Sequence, residues 1–311
     1  MTTRADTGEE TVRHLSVDGV RFSYRVLRRT GTPTGPVTEP AVVIGGALQG
    51  MHGWPQMDDH LGAVTDVVTA DLPGMGGADP LPPGPAAPVL RRALTAVADG
   101  LGAPRVNLFG FSYGSALAHD WAVHHPGRVA RLALGGLPLH VTDAQRHAWQ
   151  QAVSLLEAGQ REEFAARAAD ALMCLDPRRH VHRRELARRY VRRSFLHALA
   201  SSPHAADALV RATADRPGFG GTLSAVRTLV FAGEHDTVTP AGAQREFAAA
   251  AGAGFRTLAD SDHWVVLERA DDVAELVAAF FTDRPLPADR PPARVPGVRR
   301  EEDPAPYAPS H

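Results

Sequence analysis

The chain contains no lysine; all 33 of its basic residues are arginine. That excludes a lysine Schiff base, with or without pyridoxal phosphate, and a phosphate-binding loop that ends on lysine. A single cysteine, Cys174, excludes an internal disulfide and a cysteine-built metal site, and with no supporting motif it reads as a buried apolar residue. No apolar run is long enough to cross a bilayer, and residues 1–11 are polar and acidic without the apolar centre of a secretory leader, so a cytoplasmic protein with no membrane partner is expected. The formal net charge of −2, with 22% charged residues, carries no global bias toward nucleic acid. No G-x-G-x-x-G follows a strand-like run in the right setting and no H-E-x-x-H is present, so neither a cofactor nor a metal is expected.

Among what is present, Gly110-Phe111-Ser112-Tyr113-Gly114 is the most informative. The apolar Val106-Asn107-Leu108-Phe109 before it reads as a buried strand, and residues 115–125, which begin with small side chains, read as a helix. A sharp turn between the two lifts a serine hydroxyl clear of the sheet, and the flanking glycines allow strand and helix to approach closely. A serine between glycines also serves as a plain tight helix start, so the surrounding chain has to separate the two readings.

A serine hydroxyl is a weak nucleophile at neutral pH, so the turn predicts a histidine base and an acid to orient it. The strand-like Val-Arg-Thr-Leu-Val-Phe-Ala at 226–232 ends in Gly233-Glu234-His235-Asp236, which places a carboxylate at a strand's C-terminal edge. Asp236 is the candidate acid and Glu234 its local competitor; in a bland reading Asp236 only forms the turn before Pro240. After a short strand candidate at 254–258 comes Asp260-Ser261-Asp262-His263-Trp264, ahead of an amphipathic helix at 271–281. His263 is the candidate base, while His119, His124, His125 and His235 read as packing or surface residues.

The order Ser112, Asp236, His263 resembles that of the α/β-hydrolase superfamily, and the likeness extends over roughly residues 12–283. Asp71-Leu72-Pro73-Gly74-Met75-Gly76-Gly77-Ala78-Asp79 is similar to the family's D-x-x-G-x-G-x-S-D loop, with Ala78 in place of the serine. Pro126-Gly127-Arg128-Val129 is similar to the family's link from the elbow helix into its sixth strand. The resemblance implies an α/β fold with a mostly parallel central sheet flanked by helices. It also selects Asp236 over Glu234 as the acid, through the family's G-x-x-D pattern. One departure stands out: where the family commonly has His-Gly after its third strand, this chain reads Ile44-Gly45-Gly46-Ala47-Leu48. That loop aims a backbone N–H at the developing oxyanion, a task of backbone path more than of the imidazole. By position the donors are the N–H groups of Ala47, with Leu48 as the alternative, and of Tyr113.

The organisation expected is a flexible segment at 1–11, a core at 12–137 and 223–283, a helical cap at 138–222 and a proline-rich tail at 284–311. Within the core, residues 12–27 predict a hairpin turning at Asp18-Gly19, residues 30–40 a loop, and the proline-dense residues 80–88 an irregular connection before a helix at 89–100. The cap segment is longer than a simple connection needs. Its apolar residues Trp149, Leu155, Leu156, Phe164, Leu172 and Met173 divide between cap core and substrate pocket. Four Arg-Arg pairs between Arg178 and Arg193 form a local positive face. It reads either as a solvated surface or as a dock for an anionic partner, such as an acidic acyl carrier protein or the phosphate of a pantetheine-type thioester.

The function expected is hydrolysis of a small-molecule carboxylic ester or thioester through an acyl-enzyme. Acyl transfer, cyclisation or carboxylate elimination would use the same residues, and a non-catalytic binding member of the fold is the alternative of another class. Serine at the elbow argues against the relatives that use aspartate there to form an alkyl ester.

Overall fold

The computed structural model describes residues 8–29, 38–202, 204–214 and 216–288. The first seven residues, most of the loop expected at 30–40 and the tail from 289 lie outside them. Asp18 and Gly19 both take positive φ, 54° and 80°, the pattern of a primed hairpin turn. They join β1 (Glu10–Val17) to β2 (Val20–Leu27) in antiparallel register from Glu10–Leu27 to Val17–Val20. Glu10 and Thr11, expected in the flexible segment, are therefore paired strand residues.

The sheet has eight strands in the order β1-β2-β4-β3-β5-β6-β7-β8, with β3 at Ala41–Ile44, β4 at Val67–Asp71, β5 at Val106–Phe111, β6 at Val129–Gly135, β7 at Arg227–Gly233 and β8 at Gly254–Leu258. From β4 to β8 every neighbouring pair is parallel. The inner strands read as unbroken apolar runs because both faces are covered. Along β5, Phe109 and Phe111 enter one core cluster and Val106 and Leu108 the other, so strand alternation divides the core between the two faces.

Helices α1 (Pro55–Gly62) and α10 (Ala270–Phe281) pack together on the first face, and α2 (Ala86–Gly100) and α3 (Tyr113–His124) on the second. Helix α2 starts at Ala86, three residues ahead of the expected start, because Pro88 sits in its first turn, where a missing N–H breaks no intrahelical bond. The short α9 (Val265–Glu268) precedes α10, and α8 (Ala241–Ala250) links β7 to β8.

Between β6 and β7 the chain forms α4 (Asp143–Glu157), α5 (Arg161–Ala171), α6 (Arg184–Ser201) and α7 (Ala205–Ala214). These helices reach the core at named points. Gln145 Nε2 donates to Val238 O at 2.9 Å, Arg211 to Gly74 O at 2.6 Å, His182 N to Asp260 O at 2.7 Å and Cys174 N to Asp262 Oδ2 at 2.8 Å. Among the described residues no helix is long and apolar enough to cross a membrane.

Candidate active site

Ser112 occupies the turn between β5 and α3 with φ 52° and ψ −121°, a conformation that non-glycine residues rarely adopt. Surrounding contacts hold it there: Ser112 N donates to Gly135 O at 2.9 Å, and Ser115 Oγ donates to Ser112 O at 2.6 Å. The flanking glycines are required sterically. A Cβ on Gly110 would lie 2.5 Å from Gly114 O, and one on Gly114 would lie 2.2 Å from Ile44 O and 2.4 Å from Gly45 O. The second contact seats the loop after β3 against the start of α3.

His263 follows β8 and is 2% exposed, with its ring 5.6 Å from that of Phe111. Its Nε2 lies 3.1 Å from Ser112 Oγ and its Nδ1 lies 3.1 Å from Asp236 Oδ2. Both neighbours assign the tautomer: Nδ1–H donates to the carboxylate and Nε2 accepts from the serine hydroxyl. Asp236 is itself fixed by its turn, because Oδ1 accepts from Val238 N at 2.8 Å and Thr239 N at 2.7 Å, and Oδ2 from Thr239 Oγ1 at 2.5 Å. Burial alone disfavours the imidazolium; the Asp236 charge and hydrogen bond, with the Asp262 charge, outweigh it and raise the pKa of His263 above its ordinary value. Glu234, the competitor for the acid, faces elsewhere, accepting from Asp260 N at 2.9 Å.

Ala47, Leu48 and Tyr113 line the same cavity of about 1150 Å³ as Ser112 and His263. Gly46 N–H is taken by Gln49 Oε1 at 2.7 Å, and Ala47 and Leu48, the next residues along, line the cavity. Asp71 of the D-x-x-G-x-G stretch accepts from Met51 N at 2.9 Å and Gly77 N at 3.0 Å, tying the two loops that flank the cavity.

Of the six apolar cap residues, Trp149 and Leu172 line the cavity. Phe164 and Met173 are buried in the core cluster, and Leu155 and Leu156 pack against it. Half of the arginines in the stretch are paired with nearby acids: Arg178 and Arg179 with Asp176, Arg188 with Asp170 and Arg192 with Glu162. Among the described residues no ion pair is recorded for the exposed Arg183 and Arg189, or for Arg193 at the cavity wall. Cys174 is buried. His119 is wedged between Phe219 and Phe247, and burial lowers its pKa to about 4, a packing role away from Ser112. One trio of ligand-type side chains, Glu234, His235 and Asp260, gathers within 4.8 Å among the described residues, and its members engage one another or the backbone.

Sequence reasoning passed over Asp262, Glu268 and Gln244. Asp262 and Glu268 are fully buried beside His263, and desolvation, followed by the Asp262 charge, pushes Glu268 up to about 10, so it holds its proton at neutral pH. Gln244, also fully buried, links Leu137 N after β6 to Thr239 O in the acid's turn. For Glu268 and Gln244 only an apolar or small-residue run beside a polar letter hinted at burial; Asp262, set among Asp260, Ser261 and His263, carried no such signal.

The alpha/beta hydrolase fold family model matches residues 40–270. A 2-hydroxy-6-oxononadienedioate/2-hydroxy-6-oxononatrienedioate hydrolase from Klebsiella pneumoniae is 27% identical over 305 residues, covering 90% of this chain and 99% of that protein. Among solved structures, an alpha/beta hydrolase enzyme from a Medee basin deep-sea metagenome library superposes with a TM-score of 0.70 at 15% identity, over 89% of this chain and 99% of the other. The enol-lactonase from Burkholderia xenovorans does so with a TM-score of 0.65 at 24% identity, over 87% and 100%. A parallel sheet carrying a strained serine above β5, with a family match across most of its length, makes this chain a member of the alpha/beta hydrolase fold family and an enzyme of the hydrolase type.

Proposed function

We propose that the protein is a serine hydrolase that cleaves a carboxylic ester or thioester of a small molecule through an acyl-enzyme. The observation that carries this reading is the hydrogen-bonded chain from Ser112 Oγ through His263 to Asp236, opening on a single cavity. Ser112 Oγ attacks the carbonyl carbon as His263 Nε2 takes its proton, and the carbonyl electrons move onto oxygen. The N–H groups of Ala47 and Tyr113 receive the oxyanion. When it collapses, His263 returns the proton to the departing alcohol or thiol. Water then gives a proton to the same nitrogen, attacks the acyl group, and releases the acid with Ser112 restored.

The cavity favours a largely apolar acyl or alcohol part, since Leu48, Trp149, Leu172, Val191 and Phe195 contribute to its wall. The Klebsiella pneumoniae relative favours one second reading. By its name that relative acts on an unsaturated keto dicarboxylate with no ester linkage, so the same serine and histidine would promote water-dependent cleavage next to a ketone. Transfer, cyclisation and elimination use the same residues with an acceptor other than water.

The test is a fluorophosphonate probe on the purified protein and on Ser112→Ala, read by intact mass and peptide mapping. A single adduct on Ser112, absent from the variant, is expected. An unmodified Ser112 in folded protein overturns the nucleophile assignment. Product analysis in ¹⁸O-water then separates hydrolysis, which carries label into the acid, from transfer and elimination, which do not.

A further inference from the structure

His263 is approached by a second carboxylate that the acyl-transfer steps do not use. Asp262 precedes it in the chain and is 0% exposed. Its Oδ1 accepts from Trp264 N at 2.9 Å, within the same turn. Its Oδ2 accepts from Cys174 N at 2.8 Å, from the cap segment that joins α5 to α6. Its own N–H donates to Glu268 Oε2 at 2.7 Å, and burial together with the Asp262 charge pushes the pKa of the Glu268 carboxyl up. A second strap lies two residues upstream, where Asp260 O accepts from His182 N at 2.7 Å and Asp260 itself has φ 53°.

A buried carboxylate without donors is costly, and every donor it gains is therefore strongly held. Here the donors come from different parts of the chain, the base's own turn and the cap. Shifting the cap away from the core strips Asp262 of the Cys174 N–H and leaves a buried charge short of a partner. The turn carrying His263 then has to rearrange. A seated cap, conversely, fixes the turn that carries His263 through Cys174 N on Asp262.

We propose that Asp262 is a positioning residue for His263, coupling the seating of the cap to the alignment of the base. It acts through His263 and touches no reacting atom. The assignment rests on the reading of Ser112 and His263 as nucleophile and base. The titratable groups that face His263 are Asp236 from the turn after β7, Asp262 from its own turn and, behind Asp262, Glu268 from α9.

Two variants separate its parts. Asp262→Asn keeps an acceptor for Trp264 N but turns an amide toward Cys174 N–H and removes the charge. Cys174→Pro removes the cap's N–H, replaces the buried thiol with a ring, and leaves the charge in place. The readout is the rate of fluorophosphonate labelling at Ser112 as a function of pH, with thermal unfolding of each variant measured alongside. Asp262→Asn is expected to label about tenfold more slowly, with the acid limb of the profile moved to lower pH because the charge favouring the imidazolium is gone. Cys174→Pro is expected to label more slowly with its acid limb unmoved. Loss of folded protein alone lowers rates without moving the limb, so the limb distinguishes positioning from mere destabilisation. Asp262→Asn labelling at the wild-type rate with an unmoved limb overturns the proposal. If that variant does not accumulate as folded protein, Cys174→Pro decides at a temperature where its unfolding curve shows it fully folded: a wild-type rate there overturns the coupling and a reduced rate supports it. A wild-type protein unlabelled at Ser112 overturns the nucleophile reading instead. Hydrogen exchange at residues 172–176 then tests the tether by itself, with faster exchange in Asp262→Asn expected and unchanged exchange overturning it.

Discussion

The turn after β7 and the turn after β8 each bring a carboxylate to His263, and they hold it in different ways. Asp236 is served almost entirely from within its own turn, by Val238 N, Thr239 N and Thr239 Oγ1, before the histidine adds the last bond. Asp262 depends on distant chain: one of its donors, Cys174 N, lies 88 residues away in the cap, and the proton-bearing Glu268 comes from α9. A carboxylate satisfied mostly within its own turn depends little on distant chain, the cap touching that turn through Gln145 Nε2 on Val238 O, and suits orientation of a base. A carboxylate satisfied from several regions reports whether those regions are assembled. The same functional group thus serves alignment in one turn and assembly in the other.

The largest effect that sharpens this contrast is expected on the locally held side. Asp236→Asn keeps the size of the side chain but lets its amide point a donor at Nδ1, which forces the wrong tautomer on His263. A fall in kcat of about ten-thousandfold is expected, with KM little changed, in ester hydrolysis assays. A loss under tenfold would mean that His263 takes its orientation from somewhere other than Asp236.

On the other side the expected effect is on stability. Glu268 is protonated when folded, with its pKa pushed up to about 10 from the ordinary carboxyl value of 4.5, chiefly by desolvation. Because the folded pKa is the higher one, folding takes up a proton between these values, and native stability falls as pH rises through that window. Glu268→Gln preserves an acceptor for Asp262 N and a donor for the Asp262 carboxylate while removing the titration. Its unfolding free energy, from denaturant titrations, is expected to converge with the wild type's near pH 4.5 and to exceed it increasingly toward pH 9, by at most ~1.4 kcal/mol per pH unit. Parallel curves for the two proteins across that range would show that Glu268 does not carry the proton.

How much of this was legible follows from where each constraint is written. The elbow was readable because its causes are adjacent in sequence: an apolar run, a serine between two glycines, then small residues opening a helix. The observed strain at Ser112 and the close approach of Gly114 to Ile44 O are the physical form of those letters. Asp236 and His263 could be nominated because each follows a strand-like run that ends at the same edge of a parallel sheet. Asp262 and Glu268 could not, since a buried carboxylate and an exposed one share a letter, and what buries these two is the cap folding back from residues 172–183. The start of α2 was misjudged for a related reason: a proline reads as a breaker, yet in a first turn it is harmless. The division of the cap's apolar residues between Trp149 and Leu172 on the cavity and Phe164 in the core depends on helix rotation, which spacing alone leaves open.

The smallest expected effect comes from the cap's outer surface and asks whether the coupling through Asp262 is the cap's only electrostatic contribution. Arg183 and Arg189 are exposed, and no ion pair is recorded for either among the described residues, whereas their neighbours Arg188 and Arg192 are committed to Asp170 and Glu162. We propose them as the part of the positive face available to an acidic acyl carrier protein. Arg183→Gln with Arg189→Gln is expected to leave hydrolysis of a free thioester within twofold of wild type, because exposed charges act through high-dielectric solvent. With the same acyl group on a carrier protein, kcat/KM is expected to fall about tenfold at low ionic strength, and the difference to vanish in high salt as screening shortens the reach of the charges. Equal kinetics on free and carrier-bound substrate at every salt concentration would reduce the arginine face to a solvated surface and leave the Cys174–Asp262 and Gln145–Val238 contacts as the cap's links to the chemistry.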